Sequence, residues 1–205
     1  MDSLQWDERY AASELVWSAG PNQWVEAELT GLPPGRAIDL AAGEARNSNW
    51  LAGLGWTVLA VDFSPVALAK GQQLVAAAED GRAARVSWLT ADLTEFVPEP
   101  DSYQLALICY LQVSAADRTL IVRRALSALA PGGALLVVGH DSTNLTDGVG
   151  GPQDPAVLYS APDLVADLTA SAIPVRVDKA TTVLRQVAGS PRPAIDTLFR
   201  AVRLS

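Results

Sequence analysis

Three acidic residues and one histidine stand at positions where side chains can do chemistry. An apolar run ends at Asp39, a turn of small residues centred on Gly43 follows, and a second apolar run, Trp56 to Val61, ends at Asp62, 19 residues after the glycine. Parallel strands joined by a helix end at the same sheet edge, so the two carboxylates meet there. A small-residue turn lets a ligand approach the backbone, and an acid at the next strand tip accepts hydrogen bonds from both hydroxyls of a ribose. Asp92, after a third apolar run, can accept from the exocyclic amine of adenine while an adjacent amide, that of Leu93, donates to a ring nitrogen. His140, the sole histidine, has Asp141 beside it and can take a proton from a hydroxyl or thiol. The same histidine can equally serve only to hydrogen-bond its loop.

The turn narrows the nucleotide. A dinucleotide fingerprint needs glycine at both ends of its turn, where this chain has Ala41 and Arg46. The Lys-Ser/Thr phosphate loop is absent as well, so a nicotinamide-dependent oxidoreductase is disfavoured. Asp39, Gly43, Asp62 and Asp92 together resemble class I S-adenosylmethionine-dependent methyltransferases over nearly the whole chain. GEARN followed by SNWLA looks most like the small-molecule branch with tellurite-resistance-type and thiopurine-type enzymes.

That resemblance implies S-adenosylmethionine as cofactor and a set of binding residues. Asp39 would lie beside the cofactor's ammonium, Ala41 and Gly43 would form the turn, and Asp62 would hold the ribose. Phe63 would cover the adenine, with core packing as its alternative. Arg46 and Arg9 would meet the methionine carboxylate, and the carbonyl of Cys109 its amine. Tyr110 and Gln112, at the end of the same strand, would shape the acceptor pocket. Alanines replace the usual glycines at positions 41 and 45, and since alanine is costly where φ is positive, Gly43 alone is expected there. An Ala45 methyl aimed at the methionine tail would weaken binding. The activity implied is methyl transfer to a small-molecule acceptor with a sulfur, oxygen, selenium or tellurium nucleophile. The missing Asn/Asp-Pro-Pro-Tyr/Phe sequence lowers nitrogen acceptors. A non-catalytic S-adenosylmethionine-binding protein, acting as sensor or partner subunit, is the alternative.

Composition sets the outer limits. With 205 residues, 49% of them hydrophobic, the chain can bury one sizeable core, and a single domain, 1–205, is expected. A net charge of −8 opposes nonspecific attraction to nucleic acid. The lone Cys109 permits no internal disulfide, and no ligand spacing suggests a metal site. No apolar run is long enough for a membrane span, so the expectation is a cytoplasmic monomer or homodimer without nucleic-acid or membrane partners.

These residues need a scaffold to position them. Residues 1–34 read as a helical lid segment carrying Trp6, Tyr10, Trp17 and Trp24, with a helix over Gln23–Leu32 ended by Pro33, Pro34 and Gly35. Ser64 and Pro65 read as an N-cap and first helical residue. Further strands are predicted over Arg85–Leu89, Tyr103–Leu111 and Ala134–Gly139, the last after a Pro131-Gly132-Gly133 stop. Residues 140–159 form a long active-site loop, followed by a helix over Ser160–Ala172. Ile173–Gln186 and Ile195–Leu204 complete seven strands. The expected fold is α/β: a Rossmann-like doubly wound sheet, mostly parallel, with an antiparallel last strand beside the fifth and helices on both faces.

Overall fold

The computed structural model describes residues 3–13, 15–16, 20–169 and 171–205, which leaves the Trp17 expectation outside the described residues. The seven strands form one mixed sheet, as the sequence predicts, and their order is β3-β2-β1-β4-β5-β7-β6. The chain divides into two compact units, Met1–Val97 with Tyr103–Leu107 and Pro98–Ser102 with Ile108–Ser205.

The first unit holds helices α1 (Ser3–Ala11), α2 (Gln23–Leu29), α3 (Arg46–Gly53) and α4 (Pro65–Ala76) with strands β1 (Arg36–Leu40), β2 (Thr57–Asp62) and β3 (Val86–Thr90). β1, β2 and β3 run parallel, with Asp39 opposite Ala60 and Asp62 opposite Thr90. Ile38, Leu40, Val58, Ala60 and Val61 are buried, and Leu51 of α3 joins them. Asn22 caps α2 by accepting from the amides of Trp24 and Val25, and Ser64 caps α4 by accepting from that of Ala67. Pro65 follows at the first helical position, where its missing N–H costs nothing.

Strand β4 (Tyr103–Cys109) is apolar apart from Gln104. The second unit continues through α5 (Ala115–Ala128), β5 (Leu129–His140), α6 (Asn144–Asp147), α7 (Ala161–Thr169), β6 (Val175–Arg185) and β7 (Ala194–Arg203). β7 lies antiparallel to both β5 and β6. The Pro131-Gly133 stop does not separate helix from strand: α5 runs directly into β5, whose exposed start absorbs it with Gly132 at positive φ. β7 is buried from Ala194 to Phe199, whereas β6 is mostly exposed.

Candidate active site

The chain leaves β1 through a turn that the backbone alone does not favour. Ala41, Gly43 and Ala45 all have positive φ, at 63°, 56° and 56°. The expectation that Gly43 alone would do so is therefore corrected. An alanine in this region is disfavoured by roughly 1–2 kcal/mol, and such residues persist where surrounding contacts over-determine them. Those contacts are visible. Asp62 Oδ2 accepts from the Gly43 amide at 2.8 Å and its Oδ1 from the Ser64 amide at 2.9 Å. The Ala42 amide donates to the Val61 carbonyl at 3.0 Å.

Packing fixes the far side of the turn. A Cβ added to Gly71 of α4 would meet the Ala45 Cβ at 2.9 Å, and Ala45 is fully buried. The Ala45 methyl thus packs against the bare backbone of α4.

Asp39 is fully buried, with Oδ2 accepting from Ser48 Oγ at 2.7 Å and Oδ1 making no hydrogen bond. Burial, aided by the charge of Asp62, pushes its carboxyl up to about 6, against the opposing hydrogen bond from Ser48 and charge of Arg46. Burial also raises Asp62, opposed by the amides of Ser64 and Gly43. An unpaired oxygen on a buried carboxylate is costly, and a hydrogen-bond donor, neutral or cationic, would complete it.

Two residues missed in the sequence tie the amino-terminal segment to this turn. Buried Glu44 accepts from the Val16 amide through both carboxylate oxygens at 3.0 Å and stands 3.6 Å from Lys70 Nζ. Lys70 donates to the carbonyls of Tyr10 and Ser13, and Asp7 is hydrogen-bonded to Ser64 Oγ. Asn47 Oδ1 accepts from the Asn22 amide at 2.9 Å. Within the segment, Trp6 stacks on buried Tyr10, and the Arg9 guanidinium lies 5.0 Å over Trp6. Arg46 opens α3 and Phe63 is half-buried after β2. Asp92 is exposed, its Oδ1 accepting from the amide and hydroxyl of Thr94, while Leu93 is buried.

In the second unit Tyr110 follows Cys109, which is half-buried and in no disulfide, and takes a positive φ of 58°. Its hydroxyl donates to Asp196 Oδ2 at 2.8 Å, and Arg185 Nε donates to the same oxygen at 2.7 Å. Burial raises the Tyr110 hydroxyl, and the negative charge of Asp196 adds to this. Burial alone would raise Asp196, yet the nearby His140 and the hydrogen bonds from Arg185 and Tyr110 take it below the usual carboxylate range. His140 ends β5 directly opposite Asp196 of β7, with Nδ1 3.5 Å from Oδ1. Its ring lies 4.8 Å from that of Tyr110, and a Cβ added to Gly151 would come within 2.9 Å of Nδ1.

Asp141, expected to work with His140, faces other partners. Its Oδ1 accepts from the amide and hydroxyl of Thr143, and Oδ2 from Thr197 at 2.7 Å and Thr182 at 3.4 Å. Adjacent residues at a strand end point to opposite sides, so the carboxylate beside His140 is Asp196. Its signal in the sequence was an acid interrupting the apolar run of AIDTLF.

Residues 37–133 match the family model described as Methyltransferase domain. Over that stretch, a little under half of the chain, the sequence matches a methyltransferase domain, and the cofactor such a domain implies is S-adenosylmethionine. The unpaired Asp39 oxygen fits the cofactor's ammonium, which makes this domain chemically consistent with that ligand. The methyltransferase domain is similar in fold to several solved structures. The protein of a study of disulfide-to-thioacetal conversion in echinomycin biosynthesis aligns with TM-score 0.73 and 18% identity, covering 98% of this chain and 92% of that one. The N-methyltransferase NodS from Bradyrhizobium japonicum WM9, solved with S-adenosyl-L-homocysteine, aligns with TM-score 0.70 and 15% identity over 98% of both chains. The [4+2]-cyclase SpnF aligns with TM-score 0.72 and 15% identity, covering 98% and 95%. No curated protein matches in sequence. Among the described residues no His, Cys, Asp and Glu cluster could hold a metal ion, and no helix is long and apolar enough to cross a membrane.

Proposed function

We propose that this chain transfers the methyl group of S-adenosylmethionine to a small-molecule acceptor with a sulfur, oxygen, selenium or tellurium nucleophile, in the manner of the tellurite-resistance-type and thiopurine-type branch. The observation that carries this reading is the buried, unpaired oxygen of Asp39 beside the strained turn. Bound there, the cofactor supplies a methyl carbon on a positively charged sulfur that leaves as a neutral thioether.

The chain's own residues then have separable tasks. Asp39 receives the ammonium, and the Ala41–Ala45 turn passes the ligand backbone at close range. Asp62, already oriented by two amides, keeps lone pairs for the ribose hydroxyls. Asp92 and the Leu93 amide read adenine, Phe63 covers its ring, and Arg46 and Arg9 meet the methionine carboxylate. The acidic balance of the chain supports a small-molecule partner over nucleic acid. A single domain working as a cytoplasmic monomer or homodimer belongs to the same reading.

Because a sulfonium is already an excellent leaving group, alignment of the nucleophile supplies much of the rate. Calorimetric titration with S-adenosylmethionine and its demethylated product tests the cofactor site, and transfer of labelled methyl tests the reaction. Micromolar binding of both, with label in an acceptor, is expected. Binding without transfer to any acceptor would favour a second reading, a fold that binds the cofactor without methylating. The similarity to a [4+2]-cyclase supports keeping that reading, since one fold hosts different chemistries.

A further inference from the structure

The buried carboxylate of Asp39 has two oxygens with different fates, and one neighbour decides which is which. Ser48, the third residue of α3, is fully buried. Ala45, at the cap of that helix, has no side-chain acceptor to offer, so the amides of the first turn need acceptors from elsewhere. Asp39 supplies one from β1. Its Oδ2 accepts from Ser48 Oγ at 2.7 Å, and the Ser48 amide also favours its ionised form. Oδ1 is buried and makes no hydrogen bond.

We propose that Ser48 is a positioning residue: by holding Oδ2 of Asp39 it leaves Oδ1 as the oxygen on which a proton and the cofactor's ammonium replace one another. The proposal rests on the methyltransferase reading above and adds how its ammonium site is held and switched. A hydroxyl has one proton to give, and that of Ser48 goes to Oδ2. A carboxyl that gains a proton therefore carries it on Oδ1, which has no hydrogen-bond partner. Of the charged groups around it, Asp62 at the end of β2 disfavours the ionised form and Arg46 in the first turn of α3 favours it. All of these residues belong to the amino-terminal unit.

The exchange balances. The O–H bond at Oδ1 breaks and its proton passes to solvent, its electron pair stays on the oxygen, and the arriving ammonium donates an N–H to that pair while keeping its own protons. Burial outweighs the opposing hydrogen bonds of Ser48, so the carboxyl stands at about 6 without ligand. Below that pH most molecules must give up a proton before they receive an ammonium, and above it few must. A ligand without an ammonium leaves the proton where it is.

Counting protons tests this directly. Calorimetric titration of the full chain in buffers of different ionisation enthalpy measures the protons released on binding, with the demethylated product of the cofactor as ligand and its deaminated analogue as control. Release of about nine-tenths of a proton per ligand is expected near pH 5, about half near pH 6 and almost none at pH 7.5. The control should release none and bind at least about tenfold more weakly at pH 7.5. In Ser48→Ala a hydrogen bond to the ionised carboxylate is gone, so the pH of half release should rise by about one unit or more. A merely structural role for Ser48 would change affinity and leave that pH in place. The Asp39 carboxyl resonance of the ligand-free protein, assigned with Asp39→Asn, should titrate at about 6 and move up in the same variant. If Ser48→Ala does not fold, Ser48→Cys, a weaker donor of similar size, takes its place. No release by the ligand near pH 5, equal release or equal affinity for the control, or a half-release pH unmoved in the folded variant overturns the proposal. Failure to bind either the demethylated product or S-adenosylmethionine instead overturns the methyltransferase reading, leaving the carboxyl resonance to judge the Ser48–Asp39 pairing.

Discussion

Two buried aspartates, one in each compact unit, are used in opposite ways. In the amino-terminal unit Asp39 keeps one oxygen without a partner, and its charge is expensive enough to raise its carboxyl to about 6. In the carboxy-terminal unit Asp196 is surrounded by Tyr110, Arg185 and His140, and its ionised form is favoured. The first arrangement leaves a debt of hydrogen bonding for a ligand to settle. The second is complete, and it holds side chains still. Binding and positioning thus separate according to whether a buried charge is satisfied from within the chain.

Substitutions can break this contrast. The largest expected effect is at Asp62, whose removal in Asp62→Ala strands the Gly43 and Ser64 amides. At about 1–3 kcal/mol for each buried unpaired group, stability should fall by roughly 2–6 kcal/mol in denaturant titration, with cofactor binding lost by calorimetry.

Asp39→Asn should do the reverse to stability. The folded carboxyl titrates at about 6, above the unfolded value near 3.9, so the folded state binds more protons between those values. Stability is therefore greatest below about pH 4, falls as pH rises to about 6 and is level above it. The amide removes that slope and should stabilise the protein at pH 7 by up to about 3 kcal/mol while weakening cofactor binding at least tenfold. In the unaltered protein, affinity should rise with pH through about 6, as the carboxylate that receives the ammonium ionises. A flat profile in both would end the contrast with Asp196.

Gly71→Ala should cost about 1–3 kcal/mol through overpacking. Ala45→Gly should restore part of this, because the Glu44 carbonyl at 3.1 Å and the Trp88 ring at 3.0 Å remain. Tyr110→Phe removes one hydrogen bond to Asp196 and should lower thermal stability by about 1 kcal/mol. Smallest is Ala41→Gly, expected to stabilise by at most about 1 kcal/mol, since relief at positive φ is partly offset by the freedom glycine gives the unfolded chain.

Much of the scaffold is legible because its signals are local. Ser64-Pro65 marks where α4 starts, and the apolar runs into Asp39 and Asp62 mark parallel strands buried on both faces. What escapes a linear reading has a partner far away. Ala41 and Ala45 prefer negative φ in isolation, and the contacts that override this come from Asp62 and Gly71. His140 has an acid as its immediate neighbour, yet its carboxylate lies 56 positions on, across the β5–β7 register. Lys70, unremarkable in an alanine-rich helix, gains meaning only when Tyr10 and Ser13 come under it.

The Ala45–Gly71 contact also constrains how this chain can drift. Position 45 can lose its methyl group without disturbing α4, but a methyl gained at position 71 costs more while that of Ala45 is present. Exchange between the two sites is therefore ordered, with the turn changing before the helix. Among descendants of this sequence, alanine at 71 should be found more often with glycine at 45 than with alanine there.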